Sequence, residues 1–379
     1  MNIDKLPDDC LLHIFNFFSK FGTLLNCSQV CERWKYLVLQ RLSNVKYLAD
    51  YGPIESYPVR NTILYEYEDR YGLIKRIEWF PKLKIIESGS EPEFFSNPTV
   101  EGFLFSLSNS ENFTNCNSSL KMLAVDGLYD FYANDIQGPM LDQLHINSCS
   151  ISKFSKYAKY FPNLKRLHIE HHTLDDFEDT FYTGPSLEKL EILEVIGSSQ
   201  WGSQYDYHGF SLADKCPVLK SAYHYIDRED EFWVNSGIKN HFLEDLVIQL
   251  SGHAYPNWSI LRRVLCKYPN LKHLAIRRGY DCISHENVIE IIHMLPHITL
   301  IDIRDSKKVD ENTTRYIAQY CRDHNRSISL YYQKRPKISK NWPHLSTKRT
   351  RIGRGLDFMK HCFLKTYCND FPYLLDPDE

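Results

Sequence analysis

Apolar side chains recur along the chain in two rhythms. Between residues 6 and 45 they fall three or four residues apart. Leu11, Ile14, Phe15 and Phe18, widened by Leu12, make one helical face behind the N-terminal acids Asp8 and Asp9. Gly22-Thr23 then breaks the run. Thr23 is expected to cap a brief second helix carrying Leu24 and Leu25, and Ser28 a third with Val30, Cys31, Trp34, Leu37 and Val38 on its apolar side. A unit of about 40 residues buries too little surface to hide so many large side chains, so some are expected to face a partner.

The second rhythm begins near residue 80, where a phrase Leu-x-x-Leu-x-(Leu/Ile/Val) returns. It starts at Leu83, Leu120, Leu141, Leu164, Leu187, Leu243, Leu271 and, with Ile first, at Ile298; a degenerate copy starts at Leu219. After Leu120 the starts lie 21 to 32 residues apart, a period that predicts a solenoid, with one short strand and one helix per turn, over a doubly wound sheet. Helical stripes fill the intervals: Ile260, Leu261, Val264, Leu265 and Tyr268; Val288, Ile291, Ile292 and Leu295 behind a cap at Ser284; and Tyr316, Ile317, Tyr320 and Cys321 behind Asp310. Residues 46–79, rich in Tyr, read as a connecting segment, and 90–116, with Asn97-Pro98 and a Ser/Asn-rich run, as an irregular repeat with a loop.

Composition narrows the classes. Lys plus Arg number 45 against 48 Asp plus Glu, for a net charge of -3, a balance that argues against a protein built to grip nucleic acid or an anionic membrane. No apolar run approaches the roughly 18 to 20 residues of a membrane span, and the N-terminus is acidic where a secretory signal is basic, so the expectation is a soluble, intracellular protein, cytoplasmic or nuclear. The 11 cysteines include no Cys-x-x-Cys pair and read as ordinary thiols; Asn-x-Ser/Thr sequons such as those at Asn112, Asn117, Asn257, Asn312 and Asn325 lack a secretory route. Nucleophile-elbow, phosphate-loop, dinucleotide and His-Glu-x-x-His motifs are all missing from the sequence, so no catalytic residue and no cofactor is expected.

The stretch LPDDCLLHIFNFF followed by TLLNCSQVCERWKYLV resembles the F-box, matching its Leu-Pro opening, its Leu-Leu-x-Ile-Phe core and its Val-Cys-x-x-Trp element. Thr23 stands where the family often has an acid. The resemblance implies docking onto a Skp-type adaptor, and through it onto the cullin and RING subunits of a ubiquitin ligase, by Leu6, Pro7, Leu11, Leu12, Ile14, Phe15, Leu24, Leu25, Val30, Cys31 and Trp34. Residues 80–335 are similar to the leucine-rich repeats of F-box proteins. The implied fold is α+α/β: a three-helix F-box over residues 1–45, the connecting segment 46–79, a leucine-rich-repeat solenoid over 80–335 with strands inside and helices outside, and a C-terminal cap or tail over 336–379.

In each strand the residues between the anchors alternate to the other face, expected to be an open concave surface. There Gln143, His145, Arg166, His168, Glu170, Tyr223, Tyr225, His273 and Arg277 are the candidates for binding an unidentified target protein, alongside Lys189, Glu191, Asp245, Gln249, Asp302 and Arg304. His145 and His168 share a column on neighbouring strands, yet the sequence fixes no third ligand, so they and the His171-His172 pair read as surface histidines with no metal. Residues 334–365 hold ten Lys or Arg against one acid, Asp357. Their two clusters have bipartite nuclear-import spacing, with a solenoid cap or a patch for an acidic partner as alternatives. The whole then reads as a ligase substrate receptor, against two rivals: a scaffold binding the adaptor alone, and a hydrolase using His and Asp of the concave face.

Overall fold

A computed structural model describes residues 3–50, 59–88, 99–105, 120–125, 140–173, 181–199, 207–227, 233–251, 256–279, 282–304, 306–333 and 374. The chain divides into one unit of residues 1–141 with 372–374, and a second of 142–371 with 375–379. The Ser/Asn-rich run and the basic stretch 334–365 lie outside the described residues. No helix among those described is long and apolar enough to cross a membrane.

The first unit opens with three helices, α1 (Asp8–Asn16), α2 (Phe21–Ser28) and α3 (Glu32–Leu42). Their boundaries differ from the sequence reading. α2 starts at Phe21, so Gly22 and Thr23 lie inside it and the break falls at Phe17–Ser19. Gly22 is admitted there because a side chain would press on the Asp69 carboxylate, 3.1 Å from where its Cβ would stand. Ser28 ends α2 instead of capping α3, its hydroxyl donating to the Leu25 carbonyl at 2.6 Å. The short polar side chain satisfied a carbonyl of its own helix, a bond that competes with capping the next one.

Five parallel strands follow in the same unit: β1 (Tyr47–Ala49), β2 (Thr62–Leu64), β3 (Ile85–Ser88), β4 (Gly102–Phe105) and β5 (Met122–Val125), ordered β2-β1-β3-β4-β5, with α4 (Arg70–Ile74) between β2 and β3. Strands therefore begin at residue 47, and the segment 46–79 is part of the sheet as well as a connection. It was illegible because β1 and β2 are three residues each, too short for an alternation to register. The helices are fastened to these strands by the Leu64 amide donating to the Ser19 carbonyl at 2.7 Å, by a Lys20–Glu66 ion pair and by the Phe21 and Phe80 rings, 6.1 Å apart.

The second unit is a run of parallel strands in sequence order: β6 (Gln143–Ile146), β7 (Arg166–Thr173), β8 (Ile192–Ser199), β9 (Ser221–Ile226), β10 (Asp245–Leu250), β11 (His273–Arg277), β12 (Leu300–Ile303) and β13 (Ser329–Tyr332). Between them lie α5 (Ile151–Tyr157), α6 (Gly209–Ala213), α7 (Trp258–Leu265), α8 (His285–Met294) and α9 (Glu311–Asp323). Pairing sets Leu144, Leu167, Leu193, Ala222, Leu246, Leu274 and Ile301 in one lateral row, each buried. Each Leu in that row contributes roughly 1.5 to 3 kcal/mol by leaving water, which is what the repeated phrase encodes.

One phrase was misread by three residues. β8 begins at Ile192 with Leu193 opposite Leu167, so the repeat starts at Leu190 and not Leu187. LEKLEILEV contains two overlapping copies, and only the second gives every rung the same lead-in. That lead-in is visible in the backbone. The amides of Lys165, Glu191, Lys220, Glu244, Lys272 and Thr299 each donate to the carbonyl of the equivalent residue one rung back, at 2.8 to 2.9 Å. From Asp142 to Lys272 the side chains at these positions alternate in sign and pair as Asp142–Lys165 at 3.3 Å, Glu191–Lys220 at 2.8 Å and Glu244–Lys272 at 2.7 Å.

The helices follow the stripes. α8 is capped by Ser284, whose hydroxyl accepts from the Asn287 amide while the Asn287 side chain accepts from the Ser284 amide. Asp310 caps α9 by accepting from the amides of Asn312 and Thr313, which holds its carboxyl below the usual range. In α9 the buried side chains are Thr313 and Ile317, and Tyr316 is exposed, so its face is turned from the expected stripe.

Candidate functional site

The N-terminal helices sort the eleven expected docking residues into three groups. Leu11, Phe15 and Leu24 are fully buried and form the module's own core, with Phe15 edge-on to Trp34 at 5.3 Å. Leu6, Leu12, Ile14, Leu25 and Trp34 are half-buried, while Pro7, Val30 and Cys31 are exposed. The helical period identified the apolar positions correctly, but the most regular of them are claimed by intramodular packing. Two side chains it omitted, Phe17 at 72% and Tyr36 at 66%, are more exposed than Val30 at 59%. Phe17 lies off the stripe and is braced edge-on by the His13 ring, 5.1 Å away. Arg33 was missed as well. Its guanidinium donates to Asp8 at 2.7 Å and to the Leu6 carbonyl at 2.6 Å, tying α3 to the Leu6-Pro7 lead.

The polar face of the second unit is the larger correction. Gln143, His145, Arg166, His168, Tyr223, His273 and Arg277 are buried, and Glu170 and Tyr225 keep only partial exposure. The expected open surface is instead a set of packed polar clusters, because parallel rungs lie close enough for long side chains to cover and neutralise one another. Lys189 and Glu191 drop out of this face with the three-residue shift, and Ile192 and Glu194 take their columns.

Three clusters account for most of the polar atoms. Arg166 donates to Glu194 at 2.7 and 3.1 Å, and His168 Nδ1 meets the same carboxylate oxygen at 3.1 Å. Asp245 accepts from Ser221 at 2.6 Å and faces His273 Nδ1 at 2.6 Å. Asp302 is clasped by Arg304 at 2.8 and 2.9 Å, with Arg277 at 3.6 Å. In the second cluster the carboxylate stands between serine and imidazole, so the serine hydroxyl spends its proton on Asp245 and has no base of its own, unlike an activated nucleophile.

Against known families, residues 3–43 match the F-box-like family model. No curated protein matches the chain. F-box domains generally bind Skp-type adaptors, and the matched span contains all three helices and every exposed aromatic named above. An F-box-like domain therefore occupies the N-terminus, followed by parallel strands with helices between them.

Proposed function

We propose that the chain is a substrate-recognition subunit of an SCF-type cullin-RING ubiquitin ligase. The F-box-like domain docks a Skp-type adaptor, which brings cullin and RING subunits, and the strand-helix array is a leucine-rich-repeat solenoid that holds a target protein. The observation carrying this reading is the match over residues 3–43 joined to the exposed apolar side chains of Phe17, Val30 and Tyr36 within it. The role is non-catalytic: the subunit supplies proximity between target lysines and the charged conjugating enzyme. A cytoplasmic or nuclear site of action belongs to the same proposal.

Co-expression with a Skp-type adaptor tests it. Replacing Leu6 and Pro7 by Ala removes apolar contact at the end of α1 without touching the buried core, so adaptor capture falls while the strands stay folded. Undiminished capture by the double variant refutes the docking assignment. The buried polar face favours a second reading, a scaffold that binds the adaptor alone, and it predicts co-purification of adaptor without cullin.

A further inference from the structure

We propose that His145, His168 and Glu170 form a binding site for a zinc-class divalent cation on the polar face of β6 and β7. His145 pairs directly with His168 across the two strands, and their rings stack with centroids 3.9 Å apart. Glu170 stands two residues beyond His168 on β7 and so projects from the same face. One ligand atom from each of the three lies within 4.8 Å of the others. Zinc at about 2.0 to 2.1 Å from its ligands in a tetrahedral site requires donor atoms roughly 3.3 Å apart. Closing that gap requires the two stacked rings to turn so that both lone pairs meet at one point. The sequence argued against a metal because a third ligand was not fixed; the eight-residue β7, longer than the phrase itself, supplies it.

The protein has already arranged what a metal ligand needs around His168. This side chain is 1% exposed, and its Nδ1 is engaged by the Glu194 carboxylate at 3.1 Å. Its Nε2 is buried with no hydrogen-bond partner. With Nδ1 carrying the proton toward the carboxylate, Nε2 holds a desolvated lone pair, costly when nothing binds it and suited to a cation. His145 is likewise oriented, with Nε2 2.9 Å from Asn147 Oδ1. Arg166 faces the same cluster with Glu194 as its counter-ion, and Glu170 would supply the anionic ligand to the metal. Two imidazoles and one carboxylate suit zinc above magnesium or calcium, and three protein ligands leave a fourth position for water or for a donor from a bound protein.

The test uses the full chain stripped by chelator, with Zn²⁺ itself as probe in competition with a chromophoric chelator. Because the chain has 16 His and 11 Cys that can bind zinc elsewhere, two variants decide the result. The parent should take up one equivalent, and His168→Ala and Glu170→Gln should each weaken it by at least about tenfold, the lower end of what even an outer-shell change costs. Co²⁺ in the parent should show the visible absorption of a four-coordinate site, lost in both variants. Glu170 is half-buried, so Glu170→Gln keeps the metal-free melting temperature and decides the matter should His168→Ala fail to fold. An absence of tight binding by the folded parent overturns the proposal, and so does equal affinity in the parent and Glu170→Gln, which would mean an adventitious ion only.

Discussion

The N-terminal helices and the polar face of the second unit invert each other's surface logic. In the helices, large apolar groups such as Phe17 and Tyr36 stand in water, while in the sheet two guanidinium groups, three carboxylates and several imidazoles are shut away from it. Exposed apolar surface on a small module is a statement about a partner, since folding alone leaves it uncovered. Buried charge is a statement about neighbours within the chain: each ion is tolerable because a side chain on its own rung or the next supplies its counter-ion. Residue type by itself therefore assigned the two faces poorly, and pairing across strands decides the second.

The sharpest way to break the contrast is to orphan a buried ion. Glu194→Ala leaves Arg166 and His168 without their shared acceptor and should cost about 3 to 5 kcal/mol in urea unfolding. Replacing Arg166 by Met together with Glu194→Leu should recover most of that loss, because a well-packed apolar pair needs no counter-ion. If Glu194→Ala unfolds like the parent, the cluster is solvated and the contrast fails.

A smaller effect should come from acid. His224 is buried, its Nδ1 2.7 Å from the Tyr207 hydroxyl, and burial lowers its pKa to about 3. An unfolded histidine takes its proton near 6.5, so the unfolded state gains protons first as pH drops. The stability this neutral ring contributes is complete above pH 6.5 and is lost progressively as pH falls from 6.5 toward 3, by at most about 1.4 kcal/mol per pH unit. His145, shifted the same way, adds to the slope. Unfolding midpoints measured from pH 7.5 to 4.5 should decline accordingly, and His224→Gln should flatten part of the decline; a flat profile in the parent would contradict the burial of both rings.

The smallest stability change belongs to the helical surface. Phe17→Ala and Tyr36→Ala should each move unfolding by no more than about 0.5 kcal/mol, as exposed substitutions do. In a titration against a Skp-type adaptor the pair should nonetheless weaken binding by tenfold or more, the behaviour of aromatic anchors at an interface. Equal affinity would move the docking surface elsewhere on the domain.

Much of this architecture was legible beforehand, for reasons that also explain the misses. The phrases at Leu141, Leu164, Leu219, Leu243, Leu271 and Ile298 each precede a strand by two residues, since a lateral leucine row needs the same lead-in on every rung. Ser284 and Asp310 were readable as caps because a short polar acceptor ahead of an apolar stripe has one local use. The three-residue slip at Leu187 came from a sequence satisfying the pattern twice, and only strand pairing resolves that. Alternation told which residues leave the leucine face of the sheet; it carried no information on whether they reach water, and so Arg166, His168 and His273 were placed outside. In the helical module the stripe located the core, whereas Phe17, outside the stripe, was the apolar group left over.

The alternation of Asp142, Lys165, Glu191, Lys220, Glu244 and Lys272 along the lead-ins also constrains how such a chain can be lengthened or shortened by gene duplication. Excising the rung that carries Lys220 would bring Glu191 against Glu244, replacing an attraction with a repulsion, while excising the Lys220 and Glu244 rungs together would seat Lys272 beside Glu191 and keep the order of signs intact. Removing these rungs by twos keeps opposite charges adjacent, whereas removing one sets like charges side by side.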